Sequence, residues 1–254
     1  GQTMRRNLPI GIQSFEKLRE QQLVYVDKTQ YVYQLVHQSV PFFMSRPRRF
    51  GKSLLLSTLK AYWEGKKELF EGLAIEGLEK NNPDAWQPYP VFYFDFNGLD
   101  YSEKGALEEK LNEHLSDWEE LYGNKYQDRP LGIRFQKLLE AAHAQTGKRC
   151  VVLVDEYDKP LLEVMEKRDV EDHNKAVFKG FFSNLKSEDE HIQFVFITGV
   201  TKFQKVSIFS DLNNLSDIST SRDFAGICGI TEQEMVSVFH EEILALAKEQ
   251  GLTE

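Results

Sequence analysis

The chain has little cysteine, with two residues among 254. No disulfide framework can be built from Cys150 and Cys228, and their separation excludes a zinc ribbon. Such usage fits a reducing compartment, and Cys150, opening an apolar run, reads as a small core residue. Long apolar stretches are missing too. No segment approaches the length of a membrane span and no secretory signal is visible, so a soluble, cytoplasmic chain without membrane contact is expected. Positive charge is in deficit, with 31 Lys and Arg against 40 Asp and Glu, a net charge of −9. That balance argues against the basic face of a stand-alone DNA binder, so direct nucleic-acid binding is not expected. The six histidines show no H-E-x-x-H spacing, and no G-x-S-x-G elbow occurs. The triplets Glu64-Gly-Lys66 and Glu108-Glu-Lys110 match the acid-x-Lys string of PD-(D/E)XK nucleases. Both fall on expected helices rather than strands, which excludes them. Internal repeats and low-complexity segments are absent.

What is present is a strand, a tight loop and a helix start. Pro41-Phe-Phe-Met44 is a short apolar run, Arg46-Pro-Arg-Arg-Phe-Gly-Lys-Ser53 follows, and Leu54 to Trp63 is amphipathic. In that helix Leu55, Leu56, Leu59, Tyr62 and Trp63 fall at helical spacing. Backbone N–H groups at a helix N-terminus point at phosphate oxygens, a Lys reaches the β- and γ-phosphates, and a Ser hydroxyl coordinates Mg²⁺. The phosphate-loop pattern G-x-x-x-x-G-K-[ST] asks for Gly where this chain has Arg46. Arg46 cannot take a positive φ cheaply, so the turn must be built differently. Pro47 offers a way by fixing its own φ and pushing Arg46 toward an extended conformation. The candidate nucleotide contacts are Arg48, Arg49, Phe50, Gly51, Lys52, Ser53 and Leu54. Arg48 and Arg49 either make charge-assisted bonds beside the phosphate path or are solvated and paired with acidic neighbours.

A second motif completes the site. Val151-Val-Leu-Val154 is a continuous apolar run, the signature of a buried parallel strand, and it ends in Asp155-Glu156. Ligands of open α/β sheets bind at the carboxyl ends of strands. Asp155 is therefore expected to hold the water shell of Mg²⁺ beside Ser53, and Glu156 to act as general base toward the attacking water. An adjacent acid of this kind favours a hydrolytic ATPase over a kinase or GTPase. Pro90–Phe94, leading to Asp95, and Gln193–Ile197, leading to Thr198-Gly199, read as further strands, with the 192–198 strand placed between the loop strand and the acidic strand. Thr198 is either a γ-phosphate sensor or a strand cap. Arg222 either reaches a nucleotide or is solvated, and Asp27 and Lys28 are either nucleotide contacts or part of a surface turn. Tyr25–Asp27 is expected as a short strand and 202–215 as a loop near the γ-phosphate. Helices are expected over 30–36, 102–121, 131–144 and 169–185, with Leu107, Leu111, Leu115 and Trp118 forming one inward stripe. A capping box at Thr231-Glu-Gln-Glu234 starts a last helix bearing Met235, Val238, Phe239 and Leu246.

Tyr25-Val-Asp-Lys-Thr29, the Arg46–Ser53 loop and Val154-Asp-Glu-Tyr-Asp-Lys-Pro160 together resemble the predicted AAA-ATPase-like family of bacteria. The resemblance covers nearly the whole chain, and the arginine-rich loop without a first glycine is characteristic of that family. It is also similar to the loops of archaeal-type ATPases in the STAND-like group. It implies an α/β P-loop NTPase three-layer sandwich with a mostly parallel sheet, of the additional-strand, catalytic-glutamate class. Walker A and Walker B elements would correspond to the two motifs above. The expected organisation is an N-terminal segment over 1–38 packing on the core, an ATPase core over 39–230, and the first helix of a truncated helical lid over 231–254. Family members often continue into a PD-(D/E)XK nuclease-like domain. The expected function is Mg²⁺-dependent ATP binding and hydrolysis, with Lys52, Glu156 and Thr198 as catalytic residues and Ser53 and Asp155 as metal ligands. This activity would drive or gate an attached effector. The alternative is a nucleotide-binding switch or scaffold with negligible hydrolysis alone.

Overall fold

The computed structural model of the chain describes residues 14–47, 51–212, 214–228 and 244. In chain order its elements are helices α1 (Phe15–Glu20) and α2 (Thr29–Val36), strand β1 (Phe42–Ser45), helices α3 (Lys52–Trp63) and α4 (Ala74–Leu78), and strand β2 (Val91–Asp95). Helices α5 (Ala106–Tyr122) and α6 (Leu131–Thr146) lead to strand β3 (Cys150–Asp155). Then come α7 (Lys159–Leu162), α8 (Arg168–Phe182), α9 (Asn184–Ser187), strand β4 (Ile192–Gly199), α10 (Lys205–Phe209) and strand β5 (Ser216–Asp217).

The five strands form one sheet in the order β2-β3-β4-β1-β5, and every pairing is parallel. Parallel neighbours need crossover connections, which the helices supply on both faces. Side chains alternate between those faces along each strand. Phe43, Phe92, Phe94, Val152, Val154, Val195 and Ile197 point into a core closed by α5, α6 and α8, where Leu107, Leu111, Leu115, Phe135, Phe178, Phe181 and Phe182 are buried. Phe42, Met44, Val151, Leu153, Phe194 and Phe196 point the other way, onto Phe15, Val32, Leu35 and the α3 residues Leu55, Leu56, Leu59, Tyr62 and Trp63. The result is an α/β three-layer sandwich with β4 between the loop strand and the acidic strand, as the sequence predicts. β3, buried at all six residues, is the deepest strand, which is why its sequence carries no polar alternation.

Two local expectations give way. Tyr25–Asp27 is not a strand; instead Asp27 accepts hydrogen bonds from the backbone and hydroxyl of Thr29 at 2.9 and 2.6 Å and from the Ala74 amide at 2.7 Å, tying the starts of α2 and α4 together. The stretch after β4 contains a helix, α10, because Ile208 and Phe209 bury into the core beside α8. The expected helix beginning near Thr231 lies outside the described residues.

Candidate functional site

Strands β1, β3 and β4 end side by side, with Met44 in register with Thr198, Ser45 with Gly199 and Val154 with Ile197. Their carboxyl ends deliver Ser45-Arg46, Asp155-Glu156 and Thr198-Gly199 to one edge of the sheet, the edge at which α3 begins. Gly51 precedes α3 with φ +129°, a conformation side chains rarely adopt, so glycine at this junction has a backbone reason. Lys52 and Ser53 follow in the first turn.

Five side chains meet here. Ser53 Oγ donates to Asp155 Oδ2 at 2.8 Å. Lys52 Nζ lies 2.9 Å from Glu156 Oε1 and donates to the carbonyls of Arg46 at 2.6 Å and Gly199 at 3.0 Å. The ion pair is nearly dry, its side chains being 3% and 8% exposed. The fully buried Thr198 hydroxyl donates to Asp155 Oδ1 at 3.1 Å and accepts from the Glu156 amide at 3.2 Å. Thr198 thereby fixes both acids from the neighbouring strand.

Glu156 carries two marks of constraint. Its φ is +56°, in the left-handed region that a non-glycine residue enters at a cost of about 1–2 kcal/mol. Its Oε2 is buried without a hydrogen-bond partner. Strain and an unsatisfied oxygen in one residue are typical of a functional position. Asp155 is almost fully buried, and burial pushes its carboxyl up to about 6. Asp95 and Glu156 add to that rise, while the Ser53 and Thr198 hydroxyls pull against it.

The surroundings include residues whose role sequence reasoning missed. Tyr93 donates to Asp155 Oδ2 at 3.3 Å, and Asp95 stands in register with Asp155. Asp158, fully buried, accepts from the amides of Val200 at 3.1 Å and Thr201 at 2.8 Å and so pins the loop leaving β4. Burial raises its pKa, against the backbone hydrogen bonds that lower it. The Tyr-Asp pair after Glu156 was the only signal for it. Arg46, the residue in place of the first loop glycine, does not have a positive φ. Its amide donates to the Gly199 carbonyl at 3.1 Å, and its guanidinium donates to the Phe224 carbonyl at 3.2 Å and the Ala225 carbonyl at 3.5 Å. The turn is therefore anchored by long-range bonds rather than by glycine.

Gly51, Lys52, Ser53, Asp155, Glu156 and Thr198 thus converge on one edge of the sheet. Leu54 packs against the core, and its carbonyl accepts from Ser57 and Thr58. Arg222 is exposed on the turn before Phe224. Arg48, Arg49 and Phe50 lie outside the described residues.

A profile of the predicted AAA-ATPase family matches residues 9–209. The chain belongs to that family. Membership suggests an ATP-binding NTPase, in keeping with the parallel sheet and the loop at its edge. The chain is also 40% identical over 250 residues to an uncharacterized protein in the vnfD 5′ region of Azotobacter chroococcum mcd 1. That alignment covers 97% of this chain and 47% of the relative, so the chain spans about half of the relative's length. No solved structure matches. Among the described residues no helix is long and apolar enough to cross a membrane.

Proposed function

We propose that this domain binds ATP with Mg²⁺ at the edge formed by β1, β4 and β3 and hydrolyses it. The observation that carries the reading is the double contact between motifs about a hundred residues apart in the chain: Ser53 to Asp155 at 2.8 Å and Lys52 to Glu156 at 2.9 Å. A surface lysine at a helix start would have neither partner. In this reading the backbone N–H groups at the start of α3 receive the phosphates, and Lys52 neutralises β- and γ-phosphate charge. The donor set fits Mg²⁺, because the Ser53 hydroxyl and Asp155 carboxylate are hard oxygen ligands and Asp155 has two further acids, Asp95 and Glu156, close enough to act on it. Ser53 would hold the ion directly and Asp155 through water. Bound there, Mg²⁺ would screen charge on the phosphate oxygens.

Glu156 takes the proton from the attacking water, and its unpartnered Oε2 supplies a lone pair for that contact. Thr198 positions Asp155 and Glu156, its hydroxyl being already committed to both. Lys52→Ala should abolish saturable ATP binding in calorimetric titration, and retained affinity would remove the loop from the site.

A second reading is favoured by the Lys52–Glu156 pair itself. Each member occupies the other, which suits a switch that exchanges an internal ion pair for a phosphate contact and turns over slowly alone. Under either reading the domain would act on an attached effector, a role supported by the greater length of the Azotobacter relative. Phosphate release measured in single turnover separates the two readings.

A further inference from the structure

A second cluster of titratable side chains lies at the opposite edge of the sheet. Its sequence pattern is doubled: Glu140-Ala-Ala-His143 on α6 and Glu188-Asp-Glu-His191 in the turn that feeds β4. Residues three apart share a helix face, so each motif presents an acid and an imidazole together. One ligand atom from each of Glu140, Glu188 and His191 lies within 4.8 Å of the others. Glu188 is buried, and Glu140 and His191 are half-buried.

The two histidines interlock. Nδ1 of His143 and Nδ1 of His191 are 2.8 Å apart, a hydrogen bond in which one ring donates and the other accepts. That bond leaves Nε2 of His191 facing carboxylates, with Glu188 Oε2 at 3.8 Å and Glu190 Oε1 at 3.4 Å. Orienting a metal-binding imidazole through its other nitrogen is a general property of metal sites. Two acids held so close favour a cation between them; the Gln136 amide donates to Glu140 Oε1 at 3.4 Å but brings no charge. Lys137 approaches only Glu140, at 3.5 Å, and both of those side chains are about one-third exposed.

We propose that Glu140, Glu188 and His191 bind a divalent transition-metal ion, with His143 as the positioning residue for His191. An imidazole nitrogen beside two carboxylates favours Zn²⁺ over Ca²⁺ and Mg²⁺. Metal–ligand bonds of about 2.0–2.2 Å put ligand atoms roughly 3–4 Å from one another, which small rotations of the half-buried Glu140 and His191 side chains about the buried Glu188 achieve. The ion would fasten α6 to the turn before β4. β4 runs from Ile192 to Gly199, so at about 3.3 Å per residue the ion would sit roughly 25 Å from the Lys52 site. Its occupancy is therefore separable from nucleotide binding.

The test titrates chelator-treated protein with Zn²⁺ against a chromophoric competitor, without Mg²⁺ or nucleotide. The wild-type chain should take up one ion. His191→Ala and Glu188→Gln should each lose it, His143→Ala should weaken it about 10- to 100-fold, and His173→Ala, altering a separate His–Glu pair, should retain it. X-ray absorption on the wild-type protein should show nitrogen and oxygen scatterers only, and this measurement does not depend on any variant folding. No stoichiometric uptake, equal uptake by His191→Ala and Glu188→Gln, or sulfur ligation from Cys150 or Cys228 would each overturn the proposal.

Discussion

Glu156→Gln should bind ATP more tightly than the parent while hydrolysing it far more slowly. The two effects have separate causes. Lys52 Nζ sits 2.9 Å from Glu156 Oε1 in nearly water-free surroundings. At an effective dielectric of ~20, unit charges at that distance attract by about 6 kcal/mol. A phosphate that draws Lys52 away replaces that attraction, so only part of it opposes binding. Coupling energies of close charge pairs at interfaces start at about 1.5 kcal/mol. A penalty of about 1.5–3 kcal/mol would correspond to roughly 10- to 100-fold tighter binding in the variant. In the proposed complex, removing a negative charge beside the γ-phosphate acts in the same direction. Turnover should fall about 10²- to 10⁴-fold with the loss of the proposed general base. Without nucleotide the variant should be less stable, because Lys52 stays buried with carbonyl partners alone. A loss of about 3 kcal/mol, the lower end for breaking a buried pair, would lower Tm by roughly 6–12 °C in a domain of this size. Calorimetric titration with Mg·ATP, phosphate release and thermal melts with and without nucleotide read the three quantities. Affinity equal to or weaker than the parent's would refute the idea that Glu156 and phosphate compete for Lys52.

Gly199→Ala should cost about 1–3 kcal/mol by overpacking, since a Cβ there would lie 2.3 Å from Tyr157 Cε1 and 3.1 Å from Asp158 Oδ1; an unchanged Tm would show that the Tyr157 ring moves freely. Thr198→Val should strand Asp155 Oδ1 and the Glu156 amide, lowering stability by about 1–3 kcal/mol and reducing turnover, with Thr198→Ser restoring both; a Val variant as active as the parent would sink the positioning role. Burial works to raise the Asp217 carboxyl, but Ser219 and Lys205 outweigh it and hold its pKa below the usual carboxylate range. A depressed folded-state pKa contributes stability above the unfolded value of about 3.9 that is lost as pH falls through the folded value. Asp217→Asn should therefore lower Tm at pH 7 by more than it does at pH values below the usual carboxylate range, and a penalty that does not shrink as pH falls would contradict this.

The difference between what the sequence reveals and what it hides at this site follows from the range of the interactions. Val151–Val154 reads as a buried strand because burial on both faces leaves no polar alternation, and Leu55, Leu56, Leu59, Tyr62 and Trp63 read as a helix because one buried stripe repeats at helical spacing. Such local patterns place Lys52, Ser53, Asp155 and Glu156 at element ends, and the parallel sheet brings the ends together. The devices that tune those residues are long-range or conformational. The guanidinium of Arg46 is held by carbonyls nearly 180 residues away, and nothing near Arg46 in the chain announces them. The left-handed backbone of Glu156 is invisible to propensity, which would assign that conformation to glycine or asparagine. Both departures serve the same edge. Where glycine is missing from the loop, Arg46 secures the turn through Gly199, Phe224 and Ala225. Where glycine would be easiest, after Asp155, a glutamate stands at a conformational cost. A residue standing against its own backbone preference, with one carboxylate oxygen on Lys52 and the other unpartnered, is explained better by chemistry than by packing.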